Sequence, residues 1–538
     1  MQNRRHNRPV VSPVVVTTPP PPTHHTAVPD CRNEAGGLAF RKSEKLALLT
    51  LIFSTLMAKG SSKFYESDKE VTDRLSELVK AVPEFAAKCA VFARRVLGMR
   101  SISHCVAAMV CRHTRGMTDP ATQQGPKWVR QFVNAVIFRP DDALEIAAAY
   151  THLYPEFRRA GKLLASMPGP MKRGMADALS TFGEYQLAKY ANTGGKPKLV
   201  DLINMVHPRP SAETQEAVRA LMTGKLKNTE TWEAQLSAAG SDLGKKATIW
   251  FNLLTERKLG YFAALRNIRN ILAQSPQSVD MLLALIRNEN AIAKCLILPH
   301  QFLRTHKALC EASSLPRVRE AISAVEFAME FSCRSIPCLP GRTIVCLDGS
   351  GSMFNTVVKG QNEESNLKAI DVASLFAATV LKSQPNAEFM EFASTAKVVS
   401  LQRGLSLPAL GIAVRATASR GGTNFHRIFE TLSGAYDNII ILSDGEGWDF
   451  GKDWNSQMGA PTTARRKYEL KHGVNPFIAL FDTSGAGSMM FPEDSVVTLA
   501  GVSDKVFTLL AELKKDRNAL ISLVEQTSFA TVDDGDES

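Results

Sequence analysis

Through residues 37–337 the apolar positions recur three and four apart, the period of amphipathic helices. Leu46, Leu49, Phe53 and Leu56 form the first such stripe. Ser67-Asp68-Lys69-Glu70 has the spacing of a capping box, and Val71, Leu75, Leu78 and Val82 continue from it as a buried face up to Pro83. Similar stripes predict helices over 86–97, 128–138, 143–153, 175–190, 212–223, 242–257 and 279–287. Strand-like alternation is scarce here. Many short helices joined by short turns suit an array of stacked helical pairs, with a compact bundle as the alternative.

After Pro340 the pattern changes. Thr343-Ile344-Val345-Cys346-Leu347 is a short, β-branched apolar run of the kind a buried parallel strand needs. Strands are predicted at 343–347, 388–392, 396–401, 438–442 and 476–481, with helices between them, one at 367–381 and a last long one at 504–526. Alternation of this kind means an open, doubly wound α/β sheet. Residues 1–36 carry Pro19-Pro20-Pro21-Pro22 and no period, as a disordered or extended arm would. The chain therefore divides into that arm, an all-α region over 37–337, an α/β region over 338–530 and an acidic tail over 531–538.

Composition narrows the class. At 538 residues, 44% hydrophobic and 22% charged, the chain is ordinary for a globular protein, which excludes collagen, coiled-coil fibre and wholesale disorder. No run of about 18 apolar residues suggests a membrane span, and no apolar signal core follows the basic N-terminus. Nine scattered cysteines, an odd number with no C-x-x-C pair, point to reduced thiols and a cytoplasmic setting. The charge is uneven: residues 338–538 hold 18 Lys and Arg against 24 Asp and Glu, a net of −6, leaving 46 against 29, a net of +17, for residues 1–337. A strongly basic half suggests a polyanionic partner, nucleic acid before membrane, or else a solubilising surface.

The α/β half carries the sharpest motif. Asp348-Gly349-Ser350-Gly351-Ser352 directly follows the first predicted strand, where ligands bind in doubly wound sheets. Thr423, after Gly421-Gly422, and Asp444, after the run 439–442, stand further along. Asp348, Ser350, Ser352, Thr423 and Asp444 offer only hard oxygens, the donor set of a divalent cation such as Mg²⁺. Together they resemble the metal-ion-dependent adhesion site of von Willebrand factor A domains, which implies a binding device with one coordination position open to a partner carboxylate. His426 nearby reads as a surface residue.

The helical half carries a second resemblance. Phe92-Ala93-Arg94-Arg95-Val96-Leu97-Gly98-Met99-Arg100 and Ser103-His104 are followed by Glu184-Tyr185-Gln186-Leu187-Ala188-Lys189-Tyr190 and His207-Pro208-Arg209-Pro210. Then come Thr231-Trp232-Glu233, the run from Leu259 to Ile271, and Leu298-Pro299-His300-Gln301. In this order, ahead of the Asp-x-Ser-x-Ser loop, they resemble the TROVE module of the Ro autoantigen family over about residues 37–530. That resemblance implies a ring of HEAT-like helical repeats closed by the A domain. It further implies a noncatalytic, monomeric protein. Y-type small RNA would bind on its basic outer surface, and single-stranded 3′ ends of misfolded noncoding RNA would enter a central hole. The implied role is noncoding-RNA quality control or processing with an exoribonuclease such as polynucleotide phosphorylase.

Lys189 and His207 match family positions tied to Y RNA. The family's Arg in the loop after the Lys-Tyr pair is missing here; Lys196 and Lys198 follow that loop instead. Lys172, Arg173, Arg266 and Arg269 are candidate phosphate contacts by charge, and Arg266 and Arg269 could equally be paired structural arginines. A second reading is an A-domain adaptor for a protein machine, with the helical half as scaffold. A nuclease would need clustered carboxylates holding two metals, of which the sequence offers no sign.

Overall fold

The computed structural model describes residues 29–529 except 34–35, 56–68, 119–125, 192–196, 227–231, 295–298, 333, 335–337, 356–367, 446, 448–459, 484, 486, 501–509, 515 and 517–518. The capping box at 67–70, Lys196, the acidic tail and most of the Pro-rich arm lie outside what can be described. Among the described residues from Glu44 to Ser332 every regular element is an α-helix, apart from two short 3-10 turns. Helix Glu44–Ser54 starts at Ser43, whose Oγ accepts from Leu46 N, and it is buried from Leu46 to Ser54. Helix Pro83–Arg95 opens on Pro83, which has no N–H to leave unsatisfied.

The continuous helix expected over 175–190 is two helices, Gly169–Leu179 and Glu184–Ala191. Ser180 Oγ and Thr181 Oγ1 bond back to Ala176 O and Ala178 O, and Gly183 N–H donates to Gln186 Oε1 at the start of the next helix. Side chains that compete for backbone groups end the first helix there. The expected long C-terminal helix is likewise broken, into Leu510–Leu513 and Ala519–Glu525.

Strands β1 (Cys31–Arg32) and β2 (Leu38–Arg41) precede the helical array, a pairing the sequence pattern did not foresee. The α/β half contributes β3 (Thr343–Asp348), β4 (Glu388–Phe392), β5 (Ala396–Val398), β6 (Asn438–Ser443), β7 (Phe477–Asp482), β8 (Ser488–Met489) and β9 (Val497–Ala500). Its six-stranded sheet runs β5-β4-β3-β6-β7-β9, parallel except for the edge strand β5. Chain order reverses between β3 and β6: β4 lies on one side of β3, and β6 returns to the other. That reversal opens a crevice at the carboxyl ends of these two strands.

Both ends of the helical array land on the α/β half and close it into a ring. At one end β2 pairs with β8, with Phe40 opposite Met489, and Asn33 Nδ2 donates to Gly447 O at 2.7 Å. Ser43 N and Oγ donate to Glu493, and Lys45 pairs with Glu525. Gly485, with φ +69°, presses on the first helix so closely that a Cβ would meet Ser54 Oγ and Leu51 Cα. Phe529 stacks on Trp128. At the other end, Lys382 pairs with Glu330 at 3.2 Å and Ser406 Oγ donates to Glu326 at 2.8 Å.

Lys42 is the most deeply buried of these ties. Its Nζ lies 2.6 Å from Asp482 Oδ2, with side-chain exposures of 1% and 2%. Removing one partner of a buried pair leaves the other charge uncompensated. Lys42→Met should therefore cost about 3 kcal/mol in denaturant unfolding, and the double variant with Asp482→Leu should regain most of it. Equal losses in the single and double variants would mean that the pair does not couple the two halves.

Candidate metal centre and basic face

Asp348 ends β3 with its carboxylate fully buried. Its Oδ1 accepts from Ser350 N at 2.9 Å, and its Oδ2 accepts from Ser443 Oγ at 2.5 Å. Ser350 Oγ lies 3.0 Å from Ser352 Oγ. Burial, with the Glu391 charge adding to it, pushes Asp348 up to about 6 against the hydrogen bonds from Ser350 and Ser443. Among the described residues no Lys or Arg pairs with it. A buried carboxylate held this way lacks a compensating positive charge.

The loop carrying Thr423 is tied to the Asp348 loop through the backbone. Gly351 N–H donates to Gly421 O at 3.0 Å, and Arg420 N–H donates to Gly349 O at 2.7 Å. Arg420 takes φ +60°, a left-handed conformation uncommon for a side-chain residue, and its guanidinium covers the Phe354 ring at 4.3 Å. Gly349 is required: a Cβ there would overlap Glu391 Oε1 and sit 3.0 Å from Ala418 Cα. Asp444 follows Ser443 at the end of β6 and is buried, as are Thr423 and Asn424. Asn424 Oδ1 is buried with no hydrogen-bond partner among the described residues.

Asp348, Ser350 and Ser352 thus share one loop at the end of β3, with the Thr423 loop tied to it through the backbone and Asp444 following Ser443 at the end of β6. The donor set of two carboxylates and three hydroxyls fits a hard divalent cation, which would neutralise Asp348. Among the described residues no group of three or more His, Cys, Asp and Glu is placed to hold a metal, so any cation here depends on the hydroxyls. Two neighbours escaped the sequence reading, Ser443 and Glu391. Glu391 is buried and accepts from Ser419 N and Oγ. An acid between Met390 and Phe392, in the middle of an apolar strand, was the available signal.

The candidate RNA residues divide into two sets. Lys172 and Arg173 lie on helix Gly169–Leu179, Lys189 in the last turn of helix Glu184–Ala191, and Lys198 and His207 at the two ends of helix Leu199–Val206. These helices pack on one another. His207 caps its helix with φ +51°, ahead of Pro208, which leaves the ring exposed. Lys189 Nζ lies 5.8 Å from the Tyr190 ring, which Arg139 covers at 4.7 Å. Arg266 and Arg269 stand apart on the exposed face of helix Tyr261–Gln274, whose Ala264, Leu265, Ile268 and Ile271 are buried. Neither arginine has a carboxylate partner among the described residues, and the same holds for Lys172, Arg173, Lys189 and Lys198.

Beneath Tyr190 lies a buried ionic cluster. Asp142 Oδ2 accepts from Arg94 at 3.0 Å, from Phe138 N at 3.0 Å and from Arg139 N at 3.1 Å, and its Oδ1 accepts from Arg100 at 2.7 Å. His104 Nε2 lies 3.1 Å from the same Oδ1. Asp141 binds Arg100 and Arg139, each at 2.6 Å, and Glu145 lies 3.4 Å from both Arg100 and His104.

Comparison with known proteins adds the family. The TROVE domain matches residues 39–224 and 215–325. Telomerase protein component 1 of Mus musculus is 25% identical over 350 residues, covering 50% of this chain and 13% of that protein. The Rattus norvegicus protein of the same name is 24% identical over the same length and shares. The chain thus spans about an eighth of the length of these curated relatives. Among solved structures, the Ro (RSR) protein of Deinococcus radiodurans superimposes with a TM-score of 0.56 at 18% identity, over 88% of this chain and 100% of that one. That likeness is one of fold, and it spans the helical array and the α/β half together. With TROVE matches across more than half its length on a Ro-type architecture, the chain belongs to the TROVE/Ro family.

Proposed function

We propose that the chain is a noncatalytic RNA-binding ring. It carries a Y-type small RNA on the face formed by Lys172, Arg173, Lys189, Lys198 and His207, and it takes single-stranded 3′ ends of misfolded noncoding RNA in its central hole. Its role is noncoding-RNA quality control or processing in the cytoplasm, as a monomer working with an exoribonuclease. The observation that carries this reading is the set of cations on adjacent helices that have no carboxylate partner among the described residues, in a half with a net charge of +17. Elsewhere on these helices charge is matched, as where Arg130 pairs with Asp177 at 2.6 Å. Unmatched cations suit phosphate, and such contacts give affinity that falls steeply with salt and reads little sequence. Membership of the TROVE/Ro family supports an RNA partner in kind.

The direct test is to purify the chain from its own host at moderate salt and sequence the RNA that accompanies it. A dominant small structured RNA is expected. A stoichiometric protein with no RNA above background would favour the adaptor reading, in which the adhesion-type centre binds a carboxylate of that protein. On the basic face, Lys189→Glu should weaken RNA binding and make the slope of log affinity against log salt shallower by about one, as the loss of one phosphate contact requires. Anisotropy titrations across a salt series measure both. Unchanged slope and affinity would remove Lys189 from the interface.

A further inference from the structure

Among the described residues one cysteine stands apart from the others. Cys89, Cys105, Cys111 and Cys346 are buried, and burial pushes each thiol up, away from the reactive thiolate. Cys338 is exposed, but its Sγ faces an amide oxygen, Gln384 Oε1, at 3.2 Å. Cys310 is exposed and sits one turn after His306 on helix Pro299–Glu311, with Sγ 3.8 Å from His306 Nδ1. The other ring nitrogen, Nε2, lies 3.2 Å from Glu326 Oε1. Glu326 is in turn fixed from the α/β half, where Ser406 Oγ donates to the same oxygen at 2.8 Å.

This is a nucleophile, a base and a carboxylate that orients the base. With Nε2–H donating to Glu326, the lone pair left on the ring is that of Nδ1, which faces the thiol. Cys310 lies in the last turn of its helix, where the dipole opposes a negative sulfur. Ionisation therefore depends on the imidazolium that results when Nδ1 takes the thiol proton.

We propose that Cys310 is a modification site for low-molecular-weight disulfides, activated by His306 and Glu326. The Cys310 proton passes to His306 Nδ1, and the thiolate attacks one sulfur of the disulfide. A new S–S bond joins Cys310 to half of the reagent as the old S–S bond breaks, and the departing thiolate takes the proton from His306. No external oxidant is needed, because the disulfide itself is reduced. The adduct sits on a residue whose partners reach through Glu326 to Ser406, at the joint between the last helices of the array and the α/β half.

The test uses the full chain with glutathione disulfide and with an aromatic disulfide reagent, the modified cysteines being located and timed by mass spectrometry. Cys310 should react at least about tenfold faster than Cys338 in the same molecule near neutral pH, and its rate should persist at lower pH than that of Cys338. His306→Gln should bring Cys310 down to the Cys338 rate and pH profile, and Glu326→Gln should move it part of the way. The buried cysteines guard the experiment: if a variant merely unfolds, Cys89, Cys105, Cys111 and Cys346 become modified too. Equal rates for Cys310 and Cys338 in the unaltered chain would overturn the proposal, as would a Cys310 rate untouched by His306→Gln while the buried thiols stay protected.

Discussion

Replacing Asp142 by alanine should cost about 5 kcal/mol, the upper end for breaking a buried ionic group. One carboxylate there satisfies Arg94, Arg100 and the backbone N–H groups of Phe138 and Arg139, with His104 alongside. Alanine strands Arg94 as a buried cation and leaves Arg100 with only Asp141 and Glu145. Far-UV circular dichroism through a urea series measures the loss as a fall in the midpoint, and a fall worth under about 1 kcal/mol would sink the assignment. Burial pushes Asp142 up, but the close approach of His104 and the charges of Arg94 and Arg100 outweigh it, holding the group far below the usual carboxylate range. Asp141 and Glu145 are lowered in the same way, by Arg139, Arg100 and His104 against burial. A lowered carboxylate stabilises above its unfolded pKa and loses that contribution as pH falls towards the folded one. The contribution should thus be whole above about pH 5 and drain away progressively below about pH 4.

The same cluster marks where the sequence stopped being legible. Arg94, Arg100 and His104 were visible as parts of one family element, and Pro140-Asp141-Asp142 has the look of a helix start with acids suited to its dipole. Nothing in local periodicity says that the two segments meet, because pairing across some 45 residues is decided by helix packing. By contrast β3 and β6 could be read almost to the residue, since a buried parallel strand must be a continuous apolar run. Strands β1, β2, β8 and β9 could not. They are two to four residues long, and β2 and β8 owe their pairing to the closure of the ring, which no window of sequence contains. The candidate metal-centre residues were singled out by motif and strand-end position. Ser443 and Glu391 were not, because their part in that centre comes from β3 lying between β4 and β6.

Divalent cation binding should vanish on Asp348→Ala, and this loss is the clearest test of that centre. For the unaltered chain we expect calorimetric heat with Mg²⁺ or Mn²⁺ and a thermal midpoint that rises with cation concentration. Mass action sets that stabilisation at about 2.7 kcal/mol when the cation stands at a hundred times its Kd. Asp348→Ala should show neither effect, and Ser350→Ala with Ser352→Ala should weaken both by removing two of the three hydroxyls. The behaviour without metal separates a ligand from a structural acid. If Asp348 served only to cap its loop, Asp348→Asn would destabilise the chain with or without cation. If it is a ligand awaiting a positive charge, burial already disfavours its ionised form. Asp348→Asn then removes a desolvated carboxylate at little or no cost in cation-free buffer, and only the cation-driven rise in midpoint disappears. Cation binding that survives Asp348→Ala would move the site elsewhere. The five oxygens would then remain a hydrogen-bonded turn at the crevice between β3 and β6, stabilised by Ser443 and Ser350 alone.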